Sequence, residues 1–267
     1  MLKYKKGYLS LLITIFLGLF LGGCGNKIEI AGDPCTIPLA SKLAEAYQRK
    51  TGVEFDVQSA ACGNGIYKAI QGEVDIGVST HEVDRSILPK QTDVIVIAKA
   101  PTVILVNKKN PVNNLSLEQV NGILKGKIRN WKKVGGPDLD IENVLLQPCT
   151  TSIFQQKTTS MAKSIKRLLP MQKGNPVELT NKLVAENEGA LGIQIYGYES
   201  QNVKVITIDG KLPDESSVPL KYGYYQDYSV ILREEPTGEV KKFLDFIASV
   251  EGNKIVAEMK HIGSSIH

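Results

Sequence analysis

Three short turns, each containing a cysteine, are the feature that most constrains what this chain can fold into. In each turn a β-prone, apolar segment passes directly into a segment with helical periodicity, and the cysteines are Cys35, Cys62 and Cys149. Strands that alternate with helices predict β-α-β units with right-handed crossovers and a parallel sheet. Because ligands of open α/β sheets bind beyond the carboxyl ends of the strands, near helix N-termini, we expect these turns to form one ligand site.

The same patterns run through the rest of the chain. Alternating or continuous β-prone runs predict strands at 28–31, 53–58, 74–79, 93–107, 141–146, 189–196, 203–208 and 222–232. Apolar residues at helical spacing predict helices at 38–50, 65–71, 117–124, 151–166, 178–187 and 238–259. Ser116 is expected to cap the third helix. The last helix is expected to bury Phe243, Phe246, Ile247, Val250, Ile255 and Val256.

The long apolar stretch 93–107 sets the predicted domain organisation. Pro101 interrupts it, so we expect the chain to leave one lobe and enter a second there, and to return through 222–232. The prediction is an α/β, two-lobed clamshell in which each lobe is a mainly parallel sheet flanked by helices. The predicted boundaries are 27–104 and 220–267 for a discontinuous lobe 1, and 105–219 for lobe 2.

The N-terminus predicts export. Lysines precede an apolar run, Leu9–Phe20, that is too short for a permanent membrane span, and Leu-Gly-Gly-Cys follows it. This ending resembles a bacterial lipoprotein signal, which implies that residues 1–23 are removed and that Cys24 is lipidated. We expect a soluble body that a lipid anchor alone holds outside the cytoplasmic membrane, in the periplasm or on the outer face of the cell.

The charge balance argues against polyanionic partners. Of the 32 lysines and arginines, three lie within residues 1–23, which contain none of the 28 acidic residues. The exported chain is therefore close to neutral, whereas binding to nucleic acid or to an anionic membrane surface requires a basic excess. Neither is predicted as a partner.

The cysteines give no enzyme signature. Apart from Cys24 there are three, an odd number for an oxidising compartment. The sequence has no CxxC, CxxCH or HExxH motif, and only His81 lies close enough to these turns to be considered as a base. We therefore predict a binding protein that is not an enzyme and has no cofactor, with a thiol-dependent enzyme as the weaker alternative.

Four loops carry a family resemblance. They are Gly32-Asp33-Pro34-Cys35-Thr36-Ile37-Pro38, Gln58 to Ile66, Val74 to Thr80 and Gln147 to Phe154. In order, they resemble the loops Gly-Ser-x-Thr-x-x-Pro, Gln-Ser-x-Gly-Ser-Gly-x-Gly-Ile, Val-Asp-Phe-Gly-x-Ser-Asp, and Arg followed by Ser-Gly-Thr. These loops belong to the phosphate-binding solute receptors of ABC phosphate uptake, within the type II periplasmic-binding-protein superfamily. The resemblance implies that the ligand contacts, besides the cysteines, are Thr36, Gly63, Ser79, Thr80, Thr151 and Ser152.

The departures from the family pattern fall on these ligand loops. Cysteine stands in three loops where the family uses Ser or Thr, Gln147 is at or near the arginine position, and Thr80 replaces an acid. A thiol is a weak hydrogen-bond donor, and each exchange would cost roughly 1 kcal/mol of phosphate binding, in addition to the lost arginine charge. Phosphate is therefore predicted to bind poorly.

Three thiols instead suit a thiophilic ligand. Helix N-termini are expected to lower the pKa of the cysteine thiols, and trivalent arsenic takes three sulfur ligands and needs no fourth. We therefore predict that Cys35, Cys62 and Cys149 bind arsenite. Zn(II) with His81 as a fourth ligand, Cu(I), and an oxyanion such as phosphate or arsenate are alternatives. Cysteines that only fill apolar space, or a disulfide between Cys35 and Cys62, would exclude a three-thiol site.

The predicted function is capture of a small inorganic ligand in the cleft between the lobes. Cys35 and Cys62 would contribute from lobe 1 and Cys149 from lobe 2, so that binding drives closure. We expect a monomer that delivers its ligand to an ABC permease or signals to a membrane sensor kinase. The sequence does not distinguish between transport and sensing.

Overall fold

The computed structural model of the protein describes residues 27–60, 63–80, 83, 85–146, 168–169, 175–212 and 225–263. Its strands are β1 (Ile28–Gly32), β2 (Phe55–Ser59), β3 (Ile76–Ser79), β4 (Asp93–Asn107), β5 (Asn114–Leu115), β6 (Glu142–Leu146), β7 (Leu168–Leu169), β8 (Ala190–Ile195), β9 (Val203–Ile208), β10 (Tyr225–Leu232) and β11 (Ile262–Gly263). Its helices are α1 (Ile37–Thr51), α2 (Asn64–Gln71), α3 (Leu117–Leu124), α4 (Pro176–Glu186), α5 (Gly238–Ala248) and α6 (Val250–Glu258). Within these ranges no helix is both long and apolar enough to cross a membrane. The helix predicted at 151–166 lies outside the described residues.

The strands form a mixed sheet flanked by helices, which confirms the predicted α/β fold class. β1 lies between β2 and β3 and is parallel to both, with Ile30 opposite Val57 on one side and Ile76 on the other. Two β-α-β units, through α1 and α2, produce this parallel part, as the sequence pattern predicts. β10 and β4 continue the sheet in antiparallel orientation. The carboxyl ends of β1, β2 and β3 therefore share one edge.

Strand β4 joins two parts of the sheet. Residues 93–101 pair with β10, whereas residues 102–107 pair with β8 and β9. The change of partner falls at Pro101, the residue that the sequence analysis placed at the crossing between lobes. Proline has no amide hydrogen to donate, so the junction between two sets of strand partners is a position where it is tolerated.

The buried apolar residues of the described part form four clusters, two of which are large. The first cluster includes Leu43, Ile97 and Phe243, and the second includes Ile104 and Trp131. β4 thus contributes side chains to both clusters. The first cluster also includes Ile195 and Tyr198, which lie within the predicted lobe 2, so the residue boundaries of the lobes stay a prediction.

The start of α3 shows the predicted cap. The Gln119 N–H donates to the Ser116 hydroxyl oxygen at 3.1 Å, and the Ser116 N–H donates to the Gln119 side-chain oxygen at 2.8 Å. This reciprocal pair is a capping box, which satisfies two N–H groups that the helix itself cannot.

The single C-terminal helix predicted at 238–259 is in fact two helices, α5 and α6. Ser249 between them has an extended backbone, with φ −69° and ψ 167°. Its hydroxyl donates to the Phe246 carbonyl at 2.6 Å and accepts from the Gly252 N–H at 3.2 Å. The break turns Val250 outward, where it is 90% exposed, so the prediction that Val250 is buried is wrong. The buried residues predicted correctly are Phe243, Phe246, Ile247 and Val256.

Candidate functional site

The loops that follow β1 and β2 are in direct contact. The Ala60 N–H, just after β2, donates to the Gly32 carbonyl at the end of β1 at 2.7 Å. Gly65, in the first turn of α2, lies against the same strand end. A Cβ atom on Gly65 would be 2.5 Å from the Ala31 carbonyl oxygen and 2.8 Å from the Gly32 Cα. Only glycine allows this approach of two backbones, so Gly65 is needed to bring these loops together.

The loop after β3 joins the same region. A Cβ atom on Gly77 would be 2.5 Å from the Gly65 carbonyl oxygen, so β3 packs as closely on the start of α2. Because Gly32 lies opposite Val78 in the parallel pair, Ser79 and Thr80 follow at the same edge as the first loop. Ser79 is 1% exposed and Thr80 is 4% exposed. Within the described part of the chain the Thr80 hydroxyl has no hydrogen-bond partner.

The loop after β1, residues 33–36, is organised around Asp33. The Cys35 N–H donates to Asp33 Oδ1 at 3.2 Å. The Thr36 N–H and the Thr36 hydroxyl donate to the Asp33 carbonyl oxygen at 2.9 Å and 2.7 Å. Asp33 and Thr36 are both buried. Thr36, a predicted ligand contact, therefore already donates its hydroxyl hydrogen within its own loop.

The Cys35 thiol lies in an apolar and acidic setting. The residue is 4% exposed and belongs to the first core cluster. Burial raises the pKa of the Cys35 thiol, and the nearby Asp33 carboxylate raises it further. The prediction that a helix N-terminus lowers the pKa is wrong for Cys35, because desolvation and a neighbouring negative charge both favour the protonated thiol.

Two tyrosines lie behind the loop. The Tyr228 hydroxyl, from β10, donates to the Thr36 carbonyl oxygen. Burial raises the pKa of Tyr228, and burial together with the proximity of Cys35 raises the pKa of Tyr198. Both phenols are therefore neutral at ordinary pH.

Gly63 begins the second helix of the site. Its φ of 82° lies in the left-handed region, where a side chain would be strained. The Tyr67 N–H donates to the Gly63 carbonyl at 3.2 Å and closes the first turn of α2. No described atom lies within 4 Å of the position that a Cβ would take, so this face of the loop is open.

The described residues contain part of the predicted ligand set. Cys35, Thr36, Gly63, Ser79 and Thr80 lie on the three adjoining loops. The predicted residues outside the described part are Cys24, Cys62, His81, Cys149, Thr151 and Ser152. Within the described part, no group of three or more His, Cys, Asp or Glu residues is arranged to hold a metal ion. The three-thiol site therefore stays a prediction.

Asp33 is the site residue that the sequence analysis missed. The sequence does contain a signal, because Asp33 stands at the position of the serine in the family loop Gly-Ser-x-Thr. An Asp followed by Pro is typical of an exposed turn, however, so the pattern alone predicts a solvated carboxylate. Its burial follows from the close packing of the three loops, which no local pattern reveals.

Comparisons with known proteins show that this chain is similar to solute receptors. A family model described as the PBP superfamily domain matches residues 23–251. The phosphate-binding protein PstS of Bacillus subtilis (strain 168) is 26% identical over 298 residues, covering 98% of this chain and 95% of that protein. The phosphate-binding protein PstS 2 of Streptococcus agalactiae is 38% identical over 107 residues, and this match spans only 40% of the chain and 36% of the relative.

Two solved structures that are similar to this chain are also of solute-binding proteins of phosphate transport. A Clostridium perfringens protein assigned to a phosphate ABC transporter and solved with bound phosphate is 27% identical to this chain, with a TM-score of 0.75. The superposition covers 90% of this chain and 100% of the Clostridium perfringens chain. An ABC-type phosphate transport receptor from Vibrio cholerae is similar in fold, with a TM-score of 0.66 and 23% identity. That superposition covers 90% of this chain and 100% of the receptor chain.

Proposed function

The chain belongs to the PBP superfamily, and from this premise we propose that it is an extracytoplasmic receptor that binds a small inorganic solute between two lobes and delivers it to an ABC permease. Its relatives are transport receptors, and it is a binding protein rather than an enzyme. The observation that carries the proposal is the meeting of the loops after β1, β2 and β3 at one edge of the sheet. That edge is where open α/β sheets bind their ligands.

The proposed lobes are 27–104 with 220–267, and 105–219. The change of β4 partners at Pro101 supports a boundary there. A ligand held by loops of both lobes stabilises the closed arrangement, because it binds that arrangement better than the open one.

A phosphate-type oxyanion is one candidate ligand. The names of the Bacillus subtilis and Streptococcus agalactiae relatives support it, as does the phosphate bound to the Clostridium perfringens protein. In this chain the Thr80 hydroxyl and the glycine-lined second loop would supply hydrogen bonds to its oxygens.

Trivalent arsenic is a second candidate, favoured by the state of Cys35. At neutral pH arsenite is uncharged arsenous acid, and a buried, protonated thiol can condense with it. Each As–OH bond is replaced by an As–S bond, and the thiol hydrogen leaves with the hydroxide as water. Three thiols would give an uncharged product and three waters, which suits a buried site. Zn(II) and Cu(I) instead require thiolates, which the surroundings of Cys35 disfavour.

The location and output of the receptor are part of the same proposal. Lipidation of Cys24 would hold the folded body at the outer side of the cytoplasmic membrane. The transport receptors among its relatives support a permease as partner rather than the membrane sensor kinase considered from the sequence.

Native mass spectrometry of the reduced mature chain, carrying Cys24→Ser so that only three thiols remain, tests the ligand. The protein is offered sodium arsenite, zinc and inorganic phosphate in parallel, and its thiols are counted before and after. One arsenic adduct that consumes three thiols and disappears in Cys35→Ser supports arsenic. Phosphate binding that leaves the thiols reactive and is unaffected in Cys35→Ser supports the oxyanion. Binding of none of the three contradicts the proposed receptor function.

A further inference from the structure

Lys260 follows α6 in a backbone conformation that a lysine rarely adopts. Its φ is 58°, in the left-handed region. The Lys260 N–H donates to the Ala257 carbonyl at 2.8 Å and the next N–H donates to the Val256 carbonyl at 3.1 Å, which is the pattern of a Schellman motif. Glycine is the usual residue there, and α1 and α2 are followed by Gly52 and Gly72, with φ of 79° and 74°. A lysine at this position is strained, which points to a role for its side chain.

The Lys260 side chain joins segments from different parts of the sheet. It follows α6 and precedes β11, which pairs with β4 in the first part, where β4 also pairs with β10. Its amine forms an ion pair with Glu199 and lies 4.2 Å from the centre of the Tyr196 ring. Both residues lie in the turn between β8 and β9, the partners of β4 in the second part. The Glu199 side chain is 15% exposed, so solvent screens this pair less than one on the open surface.

The turn between β8 and β9 is itself held on two sides. Asn181 of α4, a helix that packs on β6 and β8, donates from Nδ2 to the Tyr198 carbonyl at 2.8 Å and accepts from the Ser200 N–H at 2.8 Å. The Tyr198 side chain is buried in the first core cluster, close to Cys35 of the first ligand loop. The turn therefore connects α4 with α6, and so links the two parts of the fold at a second place beside β4.

We propose that Lys260 is a positioning residue that holds the two parts of the fold together and narrows the range of their relative arrangements in the ligand-free protein. Glycine would relieve the backbone but could not reach Glu199. A ligand bound between the lobes has to fix their arrangement, so a narrower starting range lowers the entropy that binding costs. The effect on affinity rests on the proposed receptor function, whereas the effect on the arrangement of the two parts does not.

Pulsed electron paramagnetic resonance tests the arrangement without any ligand. Spin labels are attached to p-acetylphenylalanine in place of Glu45 in α1 and Lys133 between α3 and β6, both exposed, so that the cysteines stay unmodified. Lys260→Gly is expected to broaden the distance distribution at least about 1.5-fold relative to wild type. Lys260→Arg is expected to keep it narrow, because arginine can also pair with Glu199 and stack on a tyrosine ring.

Lys260→Gly also separates this role from a purely structural one. Glycine relieves the left-handed backbone, which offsets the lost ion pair, so the thermal midpoint is expected to stay within about 3 °C of wild type. Calorimetry with inorganic phosphate, sodium arsenite and zinc is expected to show an affinity about three- to tenfold lower for whichever of them wild type binds. A lysine that only stabilised the fold would lower the midpoint and leave the affinity unchanged.

Lys50→Ala is the matched control. Lys50 also pairs with an acid, Glu251 at 2.6 Å, and lies 5.6 Å from the centre of a ring, that of Phe246, but it joins α1 to α5 and α6 without reaching the second part. It is expected to leave both the distances and the affinity unchanged. If folded Lys260→Gly shows the wild-type distance distribution, or broader distances with unchanged affinity, the role of Lys260 is overturned and the receptor function stands. If the distribution broadens but wild type binds none of the three ligands, the receptor function falls and Lys260 still holds the two parts together.

Discussion

Burial decides how His261 responds to pH. The residue is 1% exposed, its Nδ1 is 2.6 Å from the Met259 carbonyl oxygen, and its ring packs on Tyr198 at 5.6 Å between centroids. Desolvation lowers the pKa of His261 to about 4, against the opposing hydrogen bond to Met259. The folded protein therefore keeps His261 neutral down to about pH 4, whereas the unfolded chain binds a proton near its ordinary pKa of about 6.5.

The consequence is a loss of stability in mild acid. As the pH falls from about 6.5 towards 4, the unfolded state binds more protons than the folded state, so the free energy of unfolding decreases. We expect His261 alone to remove about 2 kcal/mol between pH 7.5 and pH 5. Urea titrations at both pH values check this against His261→Asn, whose amide can still donate to the Met259 carbonyl but does not titrate. An equal pH dependence in wild type and variant would contradict the prediction.

At the same scale, sequence patterns located the loops of the site but not the state of their side chains. Cys35 was predicted as a ligand contact from its place in a strand–helix turn, and Thr36 from the family resemblance. The structure places both residues in that turn. Whether a thiol there is ionised depends on Asp33 and on burial under β10, a strand almost two hundred residues further along the chain. Such long-range surroundings are set by packing and leave no local signature.

At the scale of elements, the break at Ser249 gives a direct test of which residues hold the C-terminal helices. Val250 is 90% exposed and Val256 is 0% exposed, although helical spacing predicts both to be buried. We expect Val250→Lys to change the free energy of unfolding by less than about 0.5 kcal/mol. Val256→Ala removes buried methyl groups and is expected to cost roughly 1–3 kcal/mol. Urea denaturation of both variants measures the difference, and a large cost for Val250→Lys would show that one continuous helix forms in solution.

The elements that could be predicted are those whose signals are local. The order of β1, α1, β2, α2 and β3 follows from alternating periodicity, and the Ser116 cap follows from a serine three residues before a glutamine. Ser249 is also a serine that caps a helix, but Gly252 rather than Gln or Glu stands three residues later. Because Ser249 lies inside an otherwise unbroken apolar stripe, periodicity outweighed the cap. The antiparallel insertion of β10 between β3 and β4 joins segments far apart in sequence, and only packing determines it.

At the scale of the whole molecule, the two parts of the fold are connected at more than one place. β4 pairs with β10 before Pro101 and with β8 after it. The C-terminal segment adds a second connection, because Lys260 pairs with Glu199 and lies 4.2 Å from the centre of the Tyr196 ring, just after β8. A Cβ on Gly197 would be 2.3 Å from the Met259 carbonyl oxygen, so the two segments touch through backbone. Loss of one part would therefore remove hydrogen-bonded and packed neighbours from the other.

This arrangement predicts that the ligand-free protein unfolds in one cooperative step. Trp131 is the single tryptophan of the chain and is buried in the second core. Its indole N–H donates to the Gly189 carbonyl at 2.9 Å. Tryptophan fluorescence therefore reports on the part of the fold around the second core alone. Leu43→Ala, in the first core, is expected to lower the free energy of unfolding by about 2–5 kcal/mol. It should shift the urea midpoint of Trp131 fluorescence as far as that of far-ultraviolet circular dichroism. Leu124→Ala in the second core provides the reciprocal measurement and is expected to move both signals together. In the contrary outcome, the Trp131 transition of Leu43→Ala stays at the wild-type midpoint while circular dichroism becomes biphasic. This would mean that the two parts unfold independently and that β4 and the C-terminal segment do not couple them.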